Sequence, residues 1–267
     1  MAMLHIESEF RRMGNPGAAK AVAGLREEMS VQLRQQFGTD DIPLPGQSTS
    51  AKKDKPQDVL ALAAREFKAS PLFTPELVTK TFQTIWQVRG ESAGLEVVVA
   101  PCDRSAEELA ELVKAGRRIG YLPEQGMTQE NRPLFAKMFP RLGSHSVQEG
   151  NSVTNEANRF GWFDYEASVD APYLDTTEDQ LKERIAADGR LEMNVSEYIV
   201  AGEDSKLFTG KFLDQGNTWA RLLGSRSGSK VVCAYFLSDG YLYVSWDLGP
   251  QDRSPILGGR SVGVKSA

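Results

Sequence analysis

Four acidic side chains, Asp164, Glu166, Asp170 and Asp175, crowd the aromatic stretch GWFDYEASVDAPYLD. Carboxylates beside aromatic rings are the groups with which a glycosidase works, one as general acid and the other as base or nucleophile. Their separation would set the stereochemical outcome, and the spacing alone does not fix it. If 161–169 is a strand, Asp164 and Glu166 share a face with Trp162; if it is a loop, no relation follows. The plainer role, solvent-facing acids around aromatic core residues, weighs more. A small carboxylate hydrolase using 161–175 is therefore an alternative expectation, and no residue is assigned as catalytic.

Two further constellations deserve the same weighing. His145, in GSHSVQEGNS, could act as base to Cys102, Ser144 or Ser146, against the ordinary role of a loop histidine. Cys102 stands just before a helix start, where a thiolate would be favoured. Arg117, Arg118, Arg132, Lys137 and Arg141 form a modest basic cluster. It lacks interleaved aromatics in a chain of formal net charge -5, which argues against nucleic-acid binding. Two histidines and two cysteines, none at ligand spacing, argue against a zinc site, and no EF-hand loop is present. No metal and no cofactor is assigned.

The 267 residues are long enough for one large or two ordinary domains, and the composition is that of a globular protein. No run reaches transmembrane length, and MAMLHIESEFRRMG lacks the apolar core of a secretory signal. Cys102 and Cys233 lie far apart in apolar contexts and read as free thiols in a reducing compartment. The expectation is a cytoplasmic protein without membrane insertion.

Elements that would position these groups follow from periodicity and punctuation. Residues 1–57 read as an arm and linker: Ala18, Val22, Leu25, Met29 and Leu33 make a weak helical stripe, and GTDDIPLPGQSTSAKKDKPQ is linker-like. The main domain is expected over 58–267. DVLALAAREFKAS and TPELVTKTFQTIWQV read as helices, the second capped by Thr74 with Pro75 at its first position and Leu77, Phe82, Ile85 and Trp86 inward. GLEVVVAPC reads as a strand, SAEELAELVKAG as a helix with a Ser105/Glu108 capping box, and RRIGYLPE as a second strand, together a βαβ step without a phosphate loop. TTEDQLKERIAADGR and NVSEYIVAGEDS read as two more helices.

VVCAYFL and YLYVSW around Asp239-Gly240 are the strongest local signal, a hairpin with a two-residue loop. That loop would pair Phe236 with Tyr243 and Cys233 with Trp246. One face would then carry Cys233, Tyr235, Leu237, Leu242, Val244 and Trp246 into the core. The other would present Ala234, Phe236, Tyr241, Tyr243 and Ser245, an interface-like surface unless the sheet is covered on both sides.

Trp219, Arg221, Ser225, Tyr235, the Ser238-Asp239-Gly240-Tyr241 turn and the terminal Gly259-Arg260-Ser261-Val262 with Val264 form a longer pattern. It resembles the C-terminal end of bacterial C-type-lectin-like domains, including those of sulfatase-modifying-enzyme relatives and of variable proteins diversified by retroelements. The likeness covers about fifty residues of a region that would span 145–267. It departs at Gly263, where the family has proline, and at Leu222, where serine often follows; no calcium-binding signature accompanies it. The resemblance implies a ligand-binding surface on a rigid scaffold, formed here by Trp219, Arg221, Arg226, Tyr241, Tyr243, Ser245, Trp246, Asp247 and Arg253. Tyr and Trp give rigid contact area and Arg directed hydrogen bonds. The same set suits a protein or a carbohydrate.

The sequence thus leads to an α+β protein with a mixed sheet, an antiparallel C-terminal hairpin and a C-type-lectin-like region. Its expected function is ligand binding through an aromatic surface. A hydrolase and a structural protein that self-associates into homo-oligomers are the alternatives.

Overall fold

The computed structural model describes residues 55–70, 73–124, 132–139, 153–237 and 239–265. Residues 1–54 of the expected arm and linker, and Arg141, Ser144, His145 and Ser146, lie outside the described residues; Pro56 and Gln57, expected in the linker, instead open the first helix.

The helices begin and end where their punctuation requires. α1 (Pro56–Ala69) opens on a proline, and α2 (Pro75–Ala93) is capped by Thr74, whose hydroxyl accepts from the Leu77 amide at 3.2 Å. α2 closes on Gly94 at φ 73°, a left-handed cap that a glycine adopts without strain. Val78, Phe82, Ile85 and Trp86 form its buried stripe, so Val78 takes the fully inward position expected of Leu77. α3 (Ala106–Lys114) has the full Ser105/Glu108 capping box.

The stretch before α3 departs from expectation. Residues 95–102 alternate, burying Val97 and Val99, but belong to no sheet. Side chains take the place of a neighbouring strand: Gln83 bonds both the Val97 carbonyl and the Val99 amide at 2.8 Å. Tyr121 accepts from the Ala100 amide, and Thr79 from that of Cys102. Buried backbone groups must be paired, and here amide and hydroxyl groups suffice. No βαβ unit forms, because β1 (Arg117–Leu122) pairs antiparallel with a strand much later in the chain.

That partner is β3 (Gly161–Glu166), and the short helix α4 (Arg132–Met138) and strand β2 (Val153–Asn155) come between them. After β3 follow α5 (Glu178–Ala187), β4 (Leu191–Glu192) and α6 (Val195–Thr209). The C-terminal part contributes β5 (Trp219–Ser227), β6 (Lys230–Phe236), β7 (Leu242–Ser245), β8 (Leu257–Gly259) and β9 (Ser261–Gly263). One sheet has the order β1-β3-β9-β4; the other has β2-β5-β6-β7, with β8 parallel to β5. The architecture is α+β.

α6 is buried nearly all round, as a helix between apolar layers must be, and touches β1 of one sheet and β5 and β6 of the other. Gly202 permits that approach, since a Cβ there would stand 2.3 Å from the Phe236 ring. The end of the chain passes from one sheet to the other: β8 lies against β5, and one residue later β9 inserts between β3 and β4.

Arg260 is that one residue, and it is wholly buried. Its guanidinium donates to both carboxylate oxygens of Asp214, at 2.7 and 3.0 Å, and to the carbonyls of Glu166, Ser168 and Val169. Asp214 also accepts from Tyr198 of α6 at 2.9 Å and Thr218 at 2.6 Å. Removing one member of such a pair strands a buried charge. Arg260→Met is expected to cost about 3–5 kcal/mol, read as a lower urea midpoint at unchanged slope.

Candidate functional site: an aromatic face on the C-terminal sheet

The β6–β7 connection decides which side chains reach the surface. The Gly240 amide donates to the Leu237 carbonyl at 2.9 Å, and the Leu237 amide to Tyr241 at 2.8 Å. Gly240 is left-handed at φ 89°. The strands thus close through the Leu237–Tyr241 pair and a left-handed Gly240, not through the two-residue loop expected. Pairing therefore runs Phe236 to Leu242, Tyr235 to Tyr243 and Cys233 to Ser245.

A slip of one residue changes the face of every side chain on one strand relative to the other. Val232, Ala234 and Phe236 join Leu242 and Val244 in the core, with Ala220 and Leu222 of β5. Phe236, expected on the open side, is fully buried; Tyr235, expected in the core, is on the open side. Within β7, Leu242 and Val244 are buried and Tyr243 exposed as expected, but Ser245, expected on the open face, is buried. For the rings the error lay in how the two strands were joined.

The open side carries a row of three rings. Trp219 of β5 stacks on Tyr235 of β6 at 4.5 Å and 21°, and Tyr235 meets Tyr243 of β7 at 5.2 Å. Trp219 also meets Tyr243 edge-on at 5.9 Å. Tyr243 is 40% exposed and Tyr241, at the loop, 50%. Neither tyrosine hydroxyl of the row, nor the Trp219 indole nitrogen, bonds to a described residue. Burial and the neighbouring Tyr243 raise the Tyr235 phenol above its ordinary value, so its hydroxyl stays a protonated donor at neutral pH.

The remaining residues implied by the resemblance divide otherwise. Arg221 is not a surface group: it is 1% exposed and donates to the carbonyls of Thr176, Gly249 and Asp252. It sits beneath the segment joining β7 to β8 and pins it to the start of α5. The Glu178 amide adds a bond to the Pro250 carbonyl at 2.8 Å. Arg226 is half-buried between Glu156 and Glu178, at 2.8 and 2.9 Å. Arg253 is exposed but forked onto Asp175 at 3.0 and 2.6 Å, holding that carboxyl below its usual range. Ser245 is buried and bonds Asp247, which is exposed, and Trp246 is half-buried against the main core. Of the nine, the structure brings Trp219 and Tyr243 together in the row and leaves Tyr241 and Asp247 exposed. Tyr235 was missed.

The acids of 161–175 are occupied. Asp164 and Glu166 do share a face of β3, but Arg190 lies on both, at 2.6 Å from Asp164 and 3.2 Å from Glu166. Glu166 also accepts from the amide and hydroxyl of Ser261. Arg190 and Ser261 take up the oxygens a general base would use. Asp164 also explains the departure at 263: a Cβ there would lie 2.2 Å from its carboxylate, so proline does not fit. Asp170 is exposed and Asp175 is held by Arg253.

Both cysteines are free thiols. Burial raises the pKa of Cys102, the reverse of an activated thiolate, and pushes Cys233 up to about 12. Among the described residues no group of three or more His, Cys, Asp or Glu could hold a metal ion, and no helix is long and apolar enough to cross a membrane. No family model, curated protein or solved structure matches the chain.

Two outcomes follow. In native protein a thiol reagent at pH 8 should modify Cys102 slowly and leave Cys233 untouched until unfolding, as counted by absorbance. Arg221→Met should free the β7–β8 segment, seen as faster amide exchange at Glu178 and Asp252 with the sheet amides still protected. Hydrogen bonds to a charged group are worth about 1.5–3 kcal/mol each.

Proposed function

We propose that the chain is a binding module of the C-type-lectin-like kind, and that it engages a protein partner through the row Trp219, Tyr235 and Tyr243, with Tyr241 beside it. The observation that carries this reading is the row itself: three large rings in mutual contact on three paired strands, half-exposed, with polar edges that bond to no described residue. Rings are the residues that dominate binding energy at interfaces, because they offer wide contact area and have few torsions to freeze.

The geometry favours a protein over a sugar. A saccharide stacks on an open ring face, whereas Trp219 and Tyr235 spend faces on each other at 4.5 Å. Their indole and phenol donors bond to no described residue, a pattern that suits a protein interface. Support for the C-type-lectin-like assignment comes from the position of its motif: the Trp-x-Arg element opens β5, the Ser-Asp-Gly-Tyr turn joins β6 to β7, and the Gly-Gly-Arg-Ser-Val end forms β8 and β9. The rigidity such a scaffold needs is supplied by Arg221 beneath the neighbouring segment.

The test compares the full chain with Tyr235→Ser/Tyr243→Ser, both shown to be folded by circular dichroism. Partners retained from a lysate of the source cells would be identified by mass spectrometry, and affinity for a recovered partner measured. Loss of two central rings should cost more than about 2 kcal/mol, roughly thirtyfold in Kd. An unchanged partner set and unchanged affinity would discard the proposal. Retention of glycans on an array, lost in the variant, would reassign the ligand to carbohydrate.

A further inference from the structure

α1, α3, β1 and α6 enclose a cavity of about 440 Å³, a size typical of small-molecule sites. Its walls are apolar. Phe67 packs on Phe73 at 4.9 Å and on Phe208 at 5.2 Å, and Leu109 and Leu112 of α3 face them. Val113, at the rim, is 54% exposed, a large apolar side chain left in water.

Three cations also line this cavity: Lys68, Arg117 and Arg118. None of their side chains makes a hydrogen bond or ion pair with a described residue. Arg118 goes further, for its Nη1 is buried from solvent without a hydrogen-bond partner. A buried guanidinium nitrogen left unmatched is costly, and native structures rarely leave one so. The acid that feels Arg118 is Asp204, wholly buried, whose Oδ1 is already engaged by Arg89 at 2.7 Å. Two guanidiniums thus stand against one carboxylate behind the wall, and Arg117 and Lys68 add positive charge in front of it. An apolar hollow with surplus cation at one end selects a ligand that is greasy over most of its length and anionic at its head.

We infer that this cavity binds an amphipathic carboxylate of the fatty-acid class, its chain among Phe67, Phe73, Leu109, Leu112 and Phe208 and its head on Arg117 and Lys68 at the mouth, with the charge of Arg118 behind the wall. A neutral lipid would leave Arg117 and Lys68 without a counter-charge, and a cationic amphiphile would meet three like charges. A small anion without a chain would leave the apolar wall wet. This site is independent of the aromatic row, and each can fail without the other.

The probe is dodecanoate below its micelle-forming concentration, titrated calorimetrically into the full chain. Saturable one-to-one binding is expected, weaker by at least about tenfold for octanoate, since each buried methylene contributes. Dodecyltrimethylammonium should not bind. Arg117→Gln should weaken dodecanoate by about tenfold or more, as loss of a charged hydrogen bond does. Tyr235→Ser/Tyr243→Ser should leave it unchanged. If Arg117→Gln fails to fold, Val113→Glu decides in its place: the position is exposed, and a carboxylate at the rim should repel the head by a similar factor. Absence of saturable binding, equal binding of the ammonium compound, or full affinity in the deciding variant would overturn the inference.

Discussion

The buried pair of Arg260 and Asp214 is the constraint on which the rest of the structure depends. Arg260 stands at the single residue where the chain passes from β8 in one sheet to β9 in the other, so its place is set by both. Asp214 lies in the turn after α6, at φ 53°, a left-handed conformation that aspartate tolerates better than most residues. Through Tyr198, Thr218 and the carbonyls of 166–169, the pair joins the central helix, the end of β3 and the entry to β5. A charge taken so far from water is tolerable only when every donor is used, and the backbone supplies what Asp214 does not.

The same economy recurs at lower stakes. Arg190 closes the gap between β3 and β9 through Asp164, Glu166 and Ser261. Arg221 fastens the β7–β8 segment by carbonyl oxygens alone, and Arg226 spans Glu156 and Glu178. Arginine suits each place because its planar fork reaches several acceptors at once. Acids and arginines that look in sequence like catalytic or contact residues are thus consumed in holding the strands together. The groups left over are of two kinds: the rings of Trp219, Tyr235 and Tyr243 on the sheet, and the cations Lys68, Arg117 and Arg118 at the apolar hollow.

Much of this was legible beforehand. Thr74-Pro75 and Ser105 with Glu108 announce helix starts because caps satisfy backbone groups within three or four residues, wholly locally. The strand 117–122 and the hairpin around Asp239-Gly240 likewise follow from local pattern, whereas 161–169 could have been strand or loop until its pairing with β1 was seen. The segment 95–102 has the apolar alternation of a strand and is extended, yet what satisfies its backbone is Gln83, Thr79 and Tyr121, side chains whose arrival no local pattern announces. Tyr235 was lost for a subtler reason. An Asp-Gly turn serves loops of two or three residues, and the difference of one residue carries every side chain of a strand to the opposite face.

Local chemistry, then, determined by itself the caps, the helices, the presence of a hairpin and the aromatic content of its strands. Tertiary structure decided which rings face outward, which arginines are spent and where the unpaired cations gather. The reason is one of range. A cap or a turn is settled among neighbours in the chain, whereas Arg221, Arg260 and Arg118 take their meaning from groups on other elements, brought to them, or withheld, only by the packing of two sheets around α6.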